Sequence, residues 1–202
     1  MLKLAGECIE GQLAEHEASI DAHTRNLFQS FMVGSYCIGI PVRATANYAI
    51  NANYLRTVPF IAARDITIDR IAIQVYSAAA SGEKARLGIY KNKSDDEPGP
   101  DELLLDAGEV TVDSTGLKAI TIDQELVKGI YHLAVVSNGN PTPRVYLPAW
   151  NPRGQDSTYY EAPITMSYRD FTYAALPDPF GGTILDYYSG SAGVLVRVAS
   201  LG

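Results

Sequence analysis

Most of the chain alternates apolar and polar positions with the two-residue period of a β-strand. Successive side chains of a strand point to opposite faces, so such a run predicts a strand with one buried face. The longest run covers residues 66–76, and its phase slips between Ile68 and Ile71, which predicts a bulge near Asp69 and Arg70. Its apolar positions are Ile66, Ile68, Ile71, Ile73 and Val75.

Similar runs follow at intervals of roughly 8–12 residues, separated by turn residues. The predicted strands cover residues 56–60, 66–76, 85–90, 103–108, 110–112, 117–122, 129–136 and 193–198, and a first strand is expected within 36–54. The 17 glycines, 11 prolines and 13 tyrosines are typical of short strands joined by tight turns. The sequence therefore predicts a mainly β fold, a jelly-roll-like antiparallel β-sandwich.

The first 34 residues follow a helical period instead. Apolar residues and histidines recur there in steps of four and three, which is the spacing of a heptad seam. The seam positions are Ile9, Leu13, His16, Ile20, His23 and Leu27. We expect an N-terminal α-helix that ends near Gly34 and self-associates as a short coiled coil; the alternative is an amphipathic helix packed on its own domain. The predicted domains are a helical stalk at 1–34 and a β-sandwich head at 35–202.

Charge and cysteine content narrow the function classes. The formal net charge is −7, and an acidic chain repels phosphate backbones, so nucleic-acid binding is not expected. No apolar run approaches the roughly 20 residues of a membrane-spanning helix, and Glu7 and Glu10 interrupt the segment where a signal peptide would lie. Cys8 and Cys37 would lie roughly 40 Å apart along a helix. They are therefore expected to be reduced, as in a cytoplasm.

The sequence contains no catalytic or cofactor-binding motif. His132 lies in an apolar strand, on the same face as Ile130 and Ala134, where a structural histidine is expected. The acidic loop at 94–102 carries oxygen ligands that suit calcium, but it lacks the EF-hand spacing, and a solvated loop is expected there. The sequence thus predicts a protein that is not an enzyme and that holds no metal and no cofactor.

Tyrosine, tryptophan and phenylalanine concentrate in the segment 146–188. In loops, such side chains supply rigid contact area, and tyrosine and tryptophan add a polar tip, which suits the recognition of sugars or proteins. The residues expected to be exposed and to bind a ligand are Trp150, Tyr159, Tyr160 and Tyr168. The alternative is that the aromatic residues of this segment fill the core or an interface between identical subunits.

The segment 58–147 resembles the β-sandwich modules of tail-fibre and receptor-binding proteins of tailed bacteriophages. The resemblance rests on IDRIAI at 68–73, ARLGIY at 85–90, PGP at 98–100, LLDAGEV at 104–110, TGLKAITI at 115–122 and GIYHLAVV at 129–136. It implies a virion component assembled in the host cytoplasm. It also implies a homotrimer whose helix contacts other virion proteins and whose sandwich faces outward. Tail fibres of this kind are often longer, with shafts that this chain lacks.

Three functions are compatible with these features. The first is a virion fibre or spike protein that binds a host-surface glycan or protein through its C-terminal loops. The second is a capsid decoration, head-fibre or tail connector protein with a purely structural role, in which the aromatic residues serve subunit contacts. The third is a free carbohydrate-binding module, which would be a monomer.

Overall fold

The computed structural model of the chain describes residues 31–38, 42–94, 97–148, 166–183, 185–187 and 193–202. The predicted helix and its seam at 9–27 therefore lie outside the described residues, as do Trp150, Tyr159 and Tyr160. The strands are β1 (Tyr36–Cys37), β2 (Val42–Asn47), β3 (Tyr54–Ala62), β4 (Ile66–Ser77), β5 (Lys84–Asn92), β6 (Pro100–Thr111), β7 (Gly116–Leu126), β8 (Gly129–Ser137), β9 (Thr142–Pro148), β10 (Met166–Asp170), β11 (Leu185–Tyr187) and β12 (Val194–Leu201).

These strands form two antiparallel sheets, which confirms the predicted mainly β fold. The first sheet contains β7, β4, β12, β9, β1 and β2, and the second has the order β11-β10-β3-β8-β5-β6. The chain crosses repeatedly from one sheet to the other, for example from β3 to β4 and from β6 to β7. The predicted strands 103–108 and 110–112 are a single strand, β6, within which Gly108 adopts a positive φ of 94°.

The 12-residue strand β4 holds the first sheet together. One of its edges pairs with β7, and the register shifts between Ile68 and Arg70, which confirms the predicted bulge. The other edge pairs with β12 as far as Ile73 and then with β9 from Val75 onward. The first sheet therefore forks beside the C-terminal end of β4.

The main core lies between the two sheets. The bulge keeps the inner residues of β4 in phase, and they meet Phe60, Leu87, Ile89 and Leu133 of the second sheet, all with no exposed surface. Phe31, assigned by sequence to the stalk, is buried in this core and stacks on Phe60 with ring centroids 6.1 Å apart. Residues 31–34 are irregular chain and a turn, so the prediction that the helix extends to near Gly34 is wrong.

A second, smaller core covers the outer face of the second sheet. Leu176 and Phe180, from the segment 171–183 after β10, pack there on Leu55, Tyr90, Ala134 and Val136. The Tyr90 and Phe180 rings meet edge to face at 5.2 Å, and the Tyr90 hydroxyl donates to the Pro177 carbonyl oxygen at 2.9 Å. Both faces of β8 are thus buried, which explains why its sequence reads LAVV rather than alternating.

Replacing Gly88 with alanine should destabilise the protein. A Cβ atom at this position of β5 would collide with the Leu176 side chain and would lie 2.5 Å from the Leu105 carbonyl oxygen. We expect a loss of about 2–3 kcal/mol in the free energy of unfolding, measured with urea. The matched control is Gly129→Ala, where the nearest atoms lie 3.8 and 3.9 Å away and little change is expected. Equal stabilities of the two variants would contradict the close packing at Gly88.

Candidate functional site

An open cleft lies on the first sheet, at the point where the sheet forks. Its volume is about 610 Å³, which is in the range of ligand sites. The residues that line it come from the end of β4, the start of β7 and β9: Gln74, Val75, Tyr76, Thr115, Gly116 and Arg144. Three strands of the scaffold, rather than a long loop, therefore position the cleft.

The strand register explains which side chains face the cleft. Val75 pairs with Gly116 on one side and with Pro143 on the other. Val75 is 1% exposed and points into the core, so its neighbours Gln74 and Tyr76 point outward. Because the two strands are antiparallel, the residue after Val75 lies next to the residue before Gly116, which places Thr115 beside Tyr76.

The side chains of the cleft suit the recognition of a sugar. The Tyr76 side chain is 58% exposed and offers a ring face for stacking. Around it lie the Gln74 amide, the Thr115 hydroxyl and the Arg144 guanidinium, which can donate or accept hydrogen bonds. Leu117, 44% exposed, pairs with Gln74 and adds an apolar border. A ring surface surrounded by hydrogen-bonding groups is complementary to a saccharide.

Tyr168, the predicted binding residue among those described, lies elsewhere. It is half-buried in β10, and its ring meets that of Tyr54 at 6.0 Å in an edge-on arrangement. The Arg56 guanidinium lies 5.2 Å from the centre of the Tyr54 ring. The Tyr168 side chain thus belongs to a packed cluster on β3 and β10 and does not line the cleft.

Other aromatic residues of the segment 146–188 also serve packing. Phe180 lies in the second core, with Phe171 and Tyr173 packed against it. The guanidinium of Arg169 lies 5.1 Å from the Phe171 ring centre and 5.3 Å from that of Phe180, within the range of cation–π contacts. For these residues the structure agrees with the core-filling alternative.

An ion-pair network fixes the segment 171–183 to the second sheet. Arg86 donates two hydrogen bonds to the Asp106 carboxylate, at 2.9 and 2.8 Å, and one to Glu109 at 3.2 Å. The Leu176 N–H donates to Asp106 at 3.0 Å, and Lys84 donates to Glu109 at 3.0 Å. The hydrogen bond from Lys84 lowers the pKa of Glu109. This network has a structural role.

His132 is structural as well. It has no exposed surface, and its Nε2 lies 3.1 Å from the Asn92 Oδ1 atom. It shares the outer face of the second sheet with Ala134, as the alternation predicts. A substrate in solution cannot reach this imidazole.

The acidic loop that suits calcium is described only in part, because Asp95 and Asp96 lie outside the described residues. Its remaining contacts are ordinary turn interactions, among them an ion pair between Lys93 and Glu97 at 2.8 Å. Among the residues that the structure describes, no three His, Cys, Asp or Glu side chains converge as metal ligands would.

The sequence interpretation did not identify the cleft, because its residues meet only through strand pairing. One signal was available. Tyr76 occupies a polar position in the alternation of β4, so its large aromatic side chain is expected to point away from the core. Its neighbours on β7 and β9 are set by the pairing of Val75 with Gly116 and Pro143, which the sequence does not show.

Comparison with protein-family models, curated proteins and solved structures gave no significant match to this chain. The described residues include no helix long and apolar enough to cross a membrane.

Replacing Glu109 with glutamine should destabilise the protein near neutral pH. Because the folded state lowers the pKa of Glu109, its carboxylate stabilises the fold above the ordinary carboxyl pKa, and this contribution is lost as pH falls through the lowered value. We expect Glu109→Gln to lose roughly 0.5–1 kcal/mol at neutral pH. The difference from the wild type should vanish towards about pH 3.

Urea unfolding across this pH range measures the effect. Glu102→Gln is the control, since Glu102 makes an exposed ion pair with Lys91 that should contribute little. A Glu109→Gln deficit that is the same at every pH would show that the carboxylate charge is not responsible.

Proposed function

We propose that the chain is a non-enzymatic virion protein of a tailed bacteriophage, of the fibre or spike type, and that its β domain binds a glycan on the host surface. The observation that carries this proposal is the open cleft with Tyr76 at its centre. The virion assignment is supported by the resemblance of residues 58–147 to phage receptor-binding modules, and the motifs that carry it lie in strands β4–β8 and next to them.

The geometry of the cleft fits attachment better than catalysis. An enzyme usually encloses its substrate and places acid or base groups around it. The cleft instead is open, and the groups that line it are an aromatic ring, an amide, a hydroxyl and a guanidinium. Such a surface can hold a long surface polysaccharide without enclosing it.

The finer features of the proposal concern assembly. In this proposal the strands form a jelly-roll-like sandwich, and the residues before Phe31 form a helical stalk that trimerises and contacts other virion proteins. The protein is assembled into the virion in the host cytoplasm. Trp150, Tyr159 and Tyr160 remain candidates for a second contact with the receptor.

A purely structural role, as a decoration or connector protein, is favoured by one observation. β6 and β7 are 12 and 11 residues long, and each pairs along one edge only with the described strands. Open strand edges can pair with a neighbouring protein. In that case the protein would bind phage particles and not host cells.

Replacing Tyr76 with alanine should weaken binding of the full chain to susceptible cells about tenfold or more, because a central aromatic contact is lost. Tyr48→Ala is the matched control, since Tyr48 is 45% exposed and does not line the cleft. Binding is measured by titrating fluorescently labelled protein onto cells.

The same assay separates the cleft from the aromatic segment. If Trp150→Ala and Tyr160→Ala reduce binding while Tyr76→Ala does not, the receptor site lies in the segment 146–188. A wild-type protein that binds phage particles and no cells would refute the attachment function and favour the structural role.

Substitutions in the predicted seam should dissociate the oligomer. Leu13→Asp combined with Ile20→Asp places charges in the seam and is expected to convert a trimer into a monomer, as measured by light scattering. Ala14→Asp combined with Ala18→Asp adds the same charge outside the seam and should leave the trimer intact. A wild-type monomer would exclude the trimeric stalk and favour a free carbohydrate-binding module.

A further inference from the structure

The cleft contains a cation with no partner in the described part of the protein. Of the lysine and arginine side chains that the structure describes, that of Arg144 alone makes no ion pair, hydrogen bond or ring contact. Most of the others bind carboxylates, carbonyl or hydroxyl oxygens or aromatic rings, as in the pairs Arg197–Asp69, Lys91–Glu102 and Arg86–Asp106. Arg144 therefore differs from them in presenting its charge to the cleft without a partner among the described residues.

The position of Arg144 extends the cleft across four strands. Asn47 of β2 pairs with Arg144 of β9. Gln74 of β4 pairs with Leu117 of β7, and Gln74 lines the cleft together with Arg144. Cross-strand neighbours share a face, so the cleft has one such pair on each side. These four side chains are called the row.

We propose that this row binds an anionic saccharide and that Arg144 recognises the carboxylate or phosphate group of that saccharide. A guanidinium can donate two parallel hydrogen bonds to either group. The Tyr76 ring stacks on the neighbouring sugar, and the Gln74 and Asn47 amides bind its hydroxyl groups. The proposal rests on the attachment function proposed above and specifies its ligand.

Nearby acidic groups do not neutralise Arg144. Asp113 is close in sequence to the cleft residue Thr115, but its carboxylate accepts a hydrogen bond from the Gly82 N–H at 3.2 Å. Asp69 lies on β4 of the same sheet, and Arg197 binds it with two hydrogen bonds, at 2.8 and 2.5 Å. The charge of Arg144 therefore remains available to an anion that enters the cleft.

Binding of the full chain to purified polysaccharides tests the proposal. The carboxylate probes are oligogalacturonate, alginate and polysialic acid, the phosphate probe is glycerol-phosphate teichoic acid, and the neutral probes are dextran and mannan. We expect at least one acidic probe to bind more tightly than the neutral ones, and its affinity to fall as salt is added. Reduction of the carboxyl groups, which leaves the polysaccharide intact, then shows whether a carboxylate probe is bound through its charge.

Arg144→Gln should weaken binding of that acidic probe roughly 10- to 100-fold, because a charge-assisted pair of hydrogen bonds is lost. Binding of a neutral probe should change less than about twofold. Arg144→Lys should fall between the wild type and Arg144→Gln, because lysine keeps the charge but cannot form the paired hydrogen bonds. Lys93→Gln removes the same charge in the loop that follows β5 and is the control.

Three results would overturn the proposal. They are equal binding of acidic and neutral probes, an equal loss in Lys93→Gln, and binding of inorganic phosphate as tight as that of the acidic saccharide. If no probe binds but cells are still bound in a Tyr76-dependent manner, the anionic specificity is wrong and the attachment function stands. If neither probes nor cells are bound, both are wrong.

Discussion

The hydrogen-bond ladders on the two edges of β4 are the interaction on which the rest of the structure depends. A buried strand must pair its backbone groups, since each buried group left unpaired is destabilising. β12 pairs with β4 only up to Ile73, and β9 continues the ladder from Val75. Because β9 replaces β12 as the partner of β4 at this point, the β4 backbone stays paired while Ile68, Ile71 and Ile73 fill the core. The first sheet forks at the same point. The cleft is therefore a consequence of how β4 satisfies its hydrogen bonds.

The two sheets have different roles because their outer faces are covered differently. The outer face of the second sheet carries the segment 171–183, held by Tyr90, by the Arg86–Asp106 pair and by the close approach at Gly88. That cover buries Tyr90 and Phe180, and Phe171 and Tyr173 pack against it. On the first sheet, no such segment covers the outward-facing side chains of β4 at the cleft. The proposed function therefore assigns recognition through a rigid surface to the first sheet.

Local patterns predicted the strands well and the site poorly, for physical reasons. The phase slip at Asp69 and Arg70 predicted a bulge, because one inserted residue turns every later side chain to the opposite face of the sheet. Gly108 was interpreted as the end of a strand. In the structure β6 continues through Gly108, and its register with β5 shifts there. Phe31 was assigned to the stalk because its contact, Phe60, is distant in sequence. The cleft joins β4, β7 and β9, and no local pattern specifies such a register.

Placement on paired strands has an energetic consequence for recognition by the cleft. Paired strands are already ordered, so a ligand would not need to order the backbone when it binds, and less binding energy is lost. The Arg144 guanidinium is solvated in the free protein. Contact with a neutral hydroxyl would replace water without adding an attraction between opposite charges. An anion compensates the guanidinium for the water that it gives up, because it forms an ion pair and adds directional hydrogen bonds. The charge of the ligand, more than the buried area, should therefore decide what the cleft selects.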